Sequence, residues 1–304
     1  MARAFRYLYL GVPLGARVLT DAGHPPAVAC FGPLDLPGRR WARRALGRDT
    51  LLLGLPNLGD PWVQKVLASA RLDAIVSFFW PKKIPPEVLA LAPGWGTHPS
   101  LLPRWRGPDP YFWTIRSGDA ETGVSLFELA EAYDTGAVVA QRRVPVADDE
   151  TAWSLARKLD RPALSLLREL VAQLAAGERP GALAQDEAAV TEAPEPSPED
   201  LGVDWKDDAE AIVRLVRAAF PLGASVRLGE EDADLVAASI CDETPPLGLR
   251  PSEAWRTEDG AWAVRCGTGA ITLDAVADPD GEPVDLDTWL ALSAVPRNYR
   301  PGDR

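Results

Sequence analysis

Cysteine is scarce in this chain: three residues, Cys30, Cys241 and Cys266, far apart and with no CxxC pair. An odd, scattered set excludes a disulfide framework and a thiolate zinc site, and leaves buried thiols as the plain reading. Long apolar runs are missing as well. None approaches the roughly 20 residues that a membrane-spanning helix requires, so no membrane protein is expected. The first residues, Met1-Ala2-Arg3-Ala4-Phe5-Arg6, run straight into a strand-like segment without an apolar stretch or a small-residue cleavage site, which predicts a cytoplasmic protein. Positive charge is in deficit, with 32 basic residues against 44 acidic ones and a formal net charge of −12. That balance disfavours nonspecific polyanion binding and leaves room only for a local basic patch. A full GxGxxG is also lacking, because Gly11-Val12-Pro13-Leu14-Gly15 has the wrong spacing, so no nicotinamide cofactor is expected.

What is present reads as two domains in 304 residues. Strand Phe5–Leu10, a turn, a helix over Gly15–Ala22 and the apolar segment Ala27–Phe31 form a βαβ opening. Thr50–Leu53, the amphipathic stretch Pro61–Ala70 and the continuous apolar run Ala74-Ile75-Val76-Ser77-Phe78-Phe79 continue an α/β pattern, the last as a strand buried on both faces. Trp153–Leu174 places apolar residues at three- and four-residue spacings around Pro162, as one amphipathic helix or two pieces broken there. Residues 186–210 change character, with ten acids against a single Lys206 and prolines at 194, 196 and 198. That composition predicts an extended, solvated linker. Beyond it, Ala209–Ala219 is helical in pattern, and short apolar runs between turns suggest a small β-barrel. The expected division is 1–185, a linker 186–201, and 202–304.

The densest chemical signal is Gly94-Trp95-Gly96-Thr97-His98-Pro99-Ser100-Leu101-Leu102-Pro103-Arg104-Trp105-Arg106-Gly107-Pro108-Asp109-Pro110. It is followed by Ser117-Gly118-Asp119-Ala120-Glu121-Thr122-Gly123-Val124 and then by Tyr133-Asp134-Thr135-Gly136. This ordered set resembles the folate-dependent formyltransferases, typified by methionyl-tRNA formyltransferase and the amino-sugar formyltransferases. The resemblance extends over most of the chain and is weakest at residues 32–60 and 225–255. It implies a Rossmann-like parallel-sheet formyltransferase domain followed by a smaller OB-like β-barrel. It further implies transfer of a formyl group from 10-formyltetrahydrofolate to a primary amine, without a metal.

Carried over position by position, the resemblance makes His98 the catalytic imidazole and Asp134 the carboxylate that orients it and helps take the amine's proton. Phe79, Trp80 and Pro81 fall where the family's sheet meets the folate ring; Ser100, Leu102, Pro103, Tyr133, Thr135 and Gly136 belong to the same folate-facing loops. Arg106 is a candidate substrate contact. So are Arg39, Arg40 and Arg43, which with Arg44 and Arg48 make the basic cluster; their spacing fits a solvated helix face as well as a phosphate site. The acceptor is either methionyl-tRNA or a small amine or amino sugar.

One position departs from the family pattern. Two residues before the imidazole the family has an asparagine, and here stands Gly96. On an extended segment, residues 96 and 98 share a face, so Thr97 between them points away and cannot stand in. Losing one preorganised oxyanion donor costs about 10²–10³ in turnover. A repurposed folate-binding homologue or a formyl-folate hydrolase is therefore the alternative reading.

Overall fold

The computed structural model describes residues 4–32, 44, 46, 49–228, 231–278 and 280–287. Two compact units emerge. One comprises residues 1–110, 121–145 and 157–194, and the other 111–120, 146–156 and 195–304.

The first unit is built on a seven-stranded sheet. In chain order it contains β1 (Tyr7–Gly11), α1 (Pro13–Asp21), β2 (Val28–Phe31), β3 (Leu51–Gly54), α2 (Pro61–Ser69), β4 (Ala74–Phe78), α3 (Pro86–Leu89), β5 (Gly94–His98), β6 (Glu121–Glu128) and β7 (Val138–Pro145). Their spatial order is β3-β2-β1-β4-β5-β6-β7. The first five in that order run parallel, while β6 is antiparallel to both its neighbours. The strands β1, β2 and β4 are buried throughout, which is why the sequence shows them as unbroken apolar runs rather than alternations. Leu8, Leu10, Val28, Cys30 and Ile75 line one face and pack with Val63 and Leu67 of α2 and Val88 of α3.

Strand order reverses between β1 and β4, the place where open α/β sheets leave a crevice at the strands' carboxyl ends. Gly11 closes β1 there with φ +148°, and a Cβ on it would lie 2.0 Å from the carbonyl oxygen of Phe78. Only glycine fits that approach. Asp60 caps α2, its carboxylate accepting from the backbone N–H of Trp62 at 2.7 Å, with Pro61 in the first turn where its missing N–H is harmless.

A continuous helix, α5 (Ala152–Ala175), follows a short one, α4 (Pro110–Arg116), in chain order, and carries Pro162 without interruption. Leu155, Leu159, Ala163, Leu166, Leu167, Leu170 and Val171 are all buried, the three-and-four spacing of an apolar stripe. Of the two sequence-based alternatives for this segment, the unbroken helix holds.

The second unit contains α6 (Pro198–Leu201), α7 (Ala209–Ala219) and an antiparallel sheet of β8 (Ala224–Leu228), β9 (Glu231–Ile240), β10 (Ala254–Arg256), β11 (Trp262–Arg265) and β12 (Ala270–Ala277), in the order β10-β11-β12-β9-β8. A capping box of Ser197 and Asp200 opens α6, and Asp208 caps α7. Within this unit the Arg217 guanidinium donates to the Glu150 carbonyl at 2.7 Å, tying residues 146–156 to α7.

The proline-rich acidic segment differs from its sequence reading. Residues 186–194 are mostly exposed but not free: they lie along the 103–109 loop. Thr191 N–H donates to the Pro103 carbonyl, Arg106 N–H to Thr191, Ala193 N–H to Arg106, and Asp109 N–H to Ala193. Ala193 is fully buried. Composition suggested a free linker because acids and prolines dominate, whereas backbone groups, which composition does not report, make the attachment.

Candidate active site

The strand β5 ends at His98, which is 5 % exposed. Its imidazole Nε2 donates to the Trp105 carbonyl at 2.7 Å, and its Nδ1 faces the Asp134 carboxylate at 3.5 Å. The same carboxylate oxygen accepts from the Gly107 backbone N–H at 3.1 Å. A neutral imidazole carries one N–H, and the Trp105 carbonyl takes it. The contact between Nδ1 and Asp134 therefore becomes a hydrogen bond only when a second proton is placed between them. Phe127 packs edge-on against the imidazole, with ring centroids 6.5 Å apart.

Three residues around this pair have positive φ without being glycine: Phe79 at 55°, Trp105 at 61° and Asp134 at 55°. Such conformations cost of order 1–3 kcal/mol each and persist where surrounding structure enforces them. Here the enforcement is visible. The loop 99–107 is tied by Ser100 Oγ donating to the Arg104 carbonyl at 2.6 Å and Ser125 Oγ donating to the Ser100 carbonyl at 2.7 Å. Gln141 Nε2 donates to the Leu102 carbonyl at 2.9 Å, and Trp105 N–H to Thr191 Oγ1 at 2.9 Å. The Asp134 loop is tied by Gln185, whose Nε2 donates to the carbonyls of Asp134 and Gly136 at 2.7 and 2.8 Å. A Cβ on Gly136 would sit 1.6 Å from the Glu128 carbonyl oxygen, so this turn of the Asp-Thr-Gly motif admits only glycine.

The sequence-derived residues are distributed as follows. His98 and Asp134 come together. Phe79 follows β4, its ring 4.3 Å from that of Phe78, and Trp80 packs against the apolar core face with its indole Nε1 buried and without a hydrogen-bond partner among the described residues. Pro81 and Tyr133 are exposed, Thr135 and Pro103 half-buried, and Leu102 buried. Ser100 has its hydroxyl engaged by its own loop. The Arg106 guanidinium is buried and donates to Gln185 Oε1 at 3.0 and 2.9 Å and to both Glu187 oxygens at 3.1 and 2.8 Å. It acts within the chain as a tie, where the motif suggested a substrate contact. Arg106 in turn holds the Glu187 carboxyl below the usual carboxylate range, chiefly through these hydrogen bonds. Arg39, Arg40 and Arg43 lie outside the described residues. Sequence reasoning missed Gln185, Thr191 and Gln141, whose roles arise from distant backbone contacts without a local signature.

Gly96, where the sequence reading expects an asparagine in the family, lies on β5 in register with Ser77 of β4. A Cβ built on it would be 3.0 Å from Leu129 Cδ2 and 3.5 Å from both Phe127 Cε1 and Ser77 Cβ. Among the described residues no group of three or more His, Cys, Asp or Glu side chains could hold a metal ion, and no helix is long and apolar enough to cross a membrane.

Comparison with known proteins gives a consistent result. Residues 54–171 match the family described as "Formyl transferase", and residues 196–293 match "Formyl transferase, C-terminal domain". A relative named methionyl-tRNA formyltransferase, from Thiobacillus denitrificans, is 32% identical over 316 aligned positions that cover 98% of this chain and 99% of the relative. Among solved structures, HypX from Aquifex aeolicus in complex with tetrahydrofolic acid superposes with a TM-score of 0.66 at 22% identity, over 97% of this chain and 48% of HypX. The chain thus spans about half of HypX. An N-formyltransferase from Helicobacter canadensis, in complex with folinic acid and dTDP-3-aminofucose, gives 0.66 at 12% identity over 88% of this chain and 98% of that one.

Proposed function

Because the chain belongs to the formyl transferase family and is a folate-dependent enzyme of that kind, we propose that it moves the formyl group of 10-formyltetrahydrofolate to the amino group of methionyl-tRNA, with His98 and Asp134 managing the proton. The observation that carries the reading is the His98–Asp134 pair at 3.5 Å, buried at the end of a central strand and braced on both sides.

Two demands define the reaction. An amine attacking a carbonyl carbon must lose a proton, and the carbonyl oxygen gathers negative charge as it does so. Asp134 and His98 Nδ1 answer the first demand, since the gap between them is where a proton released by the amine can be held. The Gly107 N–H fixes the carboxylate oxygen that faces Nδ1 and so holds that gap in place. Nε2 of His98 is committed to the Trp105 carbonyl, so the imidazole acts as a proton relay oriented by the loop. The folate co-substrate supplies the activated formyl group, and Phe79 and Trp80 offer its flat ring an apolar wall at the carboxyl end of β4. Trp80 Nε1, buried and without an acceptor among the described residues, is a donor suited to a heterocycle rich in acceptors.

Methionyl-tRNA is favoured as acceptor by a relative of that name aligned over nearly the full length of both chains. An amino sugar is the second candidate.

The test is release of tetrahydrofolate from 10-formyltetrahydrofolate, with and without methionyl-tRNA. Release that depends on methionyl-tRNA, and that falls by about 10²–10⁴ in His98→Ala and Asp134→Asn, is the expected result. Release without any acceptor would mark a hydrolase, and release with an amino sugar alone would move the acceptor assignment.

A further inference from the structure

Gly96 removes a side-chain donor from a place where formyl transfer generates negative charge, and His98 cannot substitute while its Nε2 serves the Trp105 carbonyl. The neighbouring strand supplies a group at that place. Ser77 of β4 is the register partner of Gly96. In a parallel pair, partners in register direct their side chains to the same side of the sheet, and the two-residue period puts His98 on that side too. The Ser77 Cβ lies 3.5 Å from the point where a Cβ at position 96 would be.

The surroundings make this hydroxyl unusual. Ser77 is 8 % exposed, and its hydroxyl, without a hydrogen-bond partner among the described residues, is not sealed from solvent. Its face of the sheet is otherwise apolar, with Leu10 beside it on β1 and Ile75 two residues before it. Alanine would meet the packing of this apolar face equally well, so packing alone does not call for a hydroxyl here.

We propose that Ser77 is a catalytic residue whose hydroxyl donates to the formyl oxygen and takes over the role vacated at Gly96. This rests on the formyl-transfer reading above. In the step, the amine nitrogen's lone pair forms a bond to the formyl carbon, and the carbonyl π electrons move onto its oxygen, which accepts a hydrogen bond from Ser77. The amine's proton passes to the Asp134–His98 pair. The carbonyl then re-forms as the bond from that carbon to the donor nitrogen breaks, and the donor nitrogen takes a proton. Ser77 gives up no proton of its own and changes no oxidation state.

Restoration of the asparagine supplies the decisive test. Gly96 has an ordinary backbone conformation, and the tightest neighbour of a new side chain is the flexible end of Leu129 at 3.0 Å, so Gly96→Asn is accommodated by a small movement. Four proteins are compared for tetrahydrofolate release with methionyl-tRNA or a dTDP-amino sugar: wild type, Ser77→Ala, Ser77→Ala/Gly96→Asn, and His98→Ala. Ser77→Ala should lower kcat by about 10- to 100-fold with KM for the folate little changed, while its Tm stays the same. The double variant should regain most of the lost kcat. Full turnover in Ser77→Ala beside an inactive His98→Ala overturns the role of Ser77 and leaves formyl transfer standing. A lowered kcat that comes with a lowered Tm and no rescue by asparagine also overturns it, because a packing role then explains the loss. No formylated product from wild type with either acceptor overturns the formyl-transfer reading and Ser77's role with it.

Discussion

Three thiols in this chain sit in different surroundings, and their reactivity should report it. Burial pushes the Cys30 thiol up to about 12 and the Cys266 thiol up to about 11, and both side chains are inaccessible. Cys241 is half-buried and its thiol is also raised by burial. A thiol reagent applied to the native protein at pH 8 should therefore modify one cysteine slowly and reach the other two only after unfolding; mass spectrometry of the labelled peptides checks the order. At the same scale, the family resemblance singled out His98 and Asp134, and the structure brings the two side chains together. The Trp105 carbonyl that fixes the imidazole and the register of Ser77 with Gly96 could not be read there, since neither a backbone oxygen nor a strand register is written in local sequence.

Among the elements, the Asp134 turn has the least tolerance. Gly136→Ala would force a Cβ against the Glu128 carbonyl, and overpacking of this kind costs about 1–3 kcal/mol or more. A lower Tm together with weakened activity is expected, since the same turn presents Asp134. The pattern of strands and helices was readable because β1, β2 and β4 are uniformly apolar and α5 is amphipathic. The 186–194 segment was misread because its acids and prolines resemble those of free chain. One acid there has a specific partner. The folded-state pKa of Glu187 is depressed by Arg106, so its contribution is present above the unfolded carboxyl's range and is lost as pH falls through the lower, folded value. Acid should loosen the 186–194 segment first, and Glu187→Gln should remove that pH dependence; hydrogen exchange across residues 186–194, compared between neutral and acid pH, tests both.

For the whole molecule, the net charge of −12 sets a condition on a nucleic-acid acceptor. Attraction must come from a local basic surface rather than the protein's overall field. If methionyl-tRNA is the acceptor, its affinity should fall with added salt, log K decreasing against log salt by about 0.7–0.9 per phosphate contact. A salt-insensitive KM would favour a small amine instead; titration at two or more ionic strengths distinguishes them. The chain crosses between its two units more often than a single linker would, because residues 111–120 and 146–156 join the later segment.

Residues 103–109 present the carbonyl that holds His98 and the N–H that holds Asp134, and part of the chain that steadies them arrives late, at Gln185, Glu187, Thr191 and Ala193. A chain being synthesised therefore contains His98 and Asp134 well before it contains all the contacts that hold their loops. A fragment ending at residue 185 would carry both side chains and the ties from Ser100, Ser125 and Gln141 but lack those from Glu187, Thr191 and Ala193. One ending at residue 194 would have the whole brace. Competence in this half of the chain is thus acquired in its last few residues.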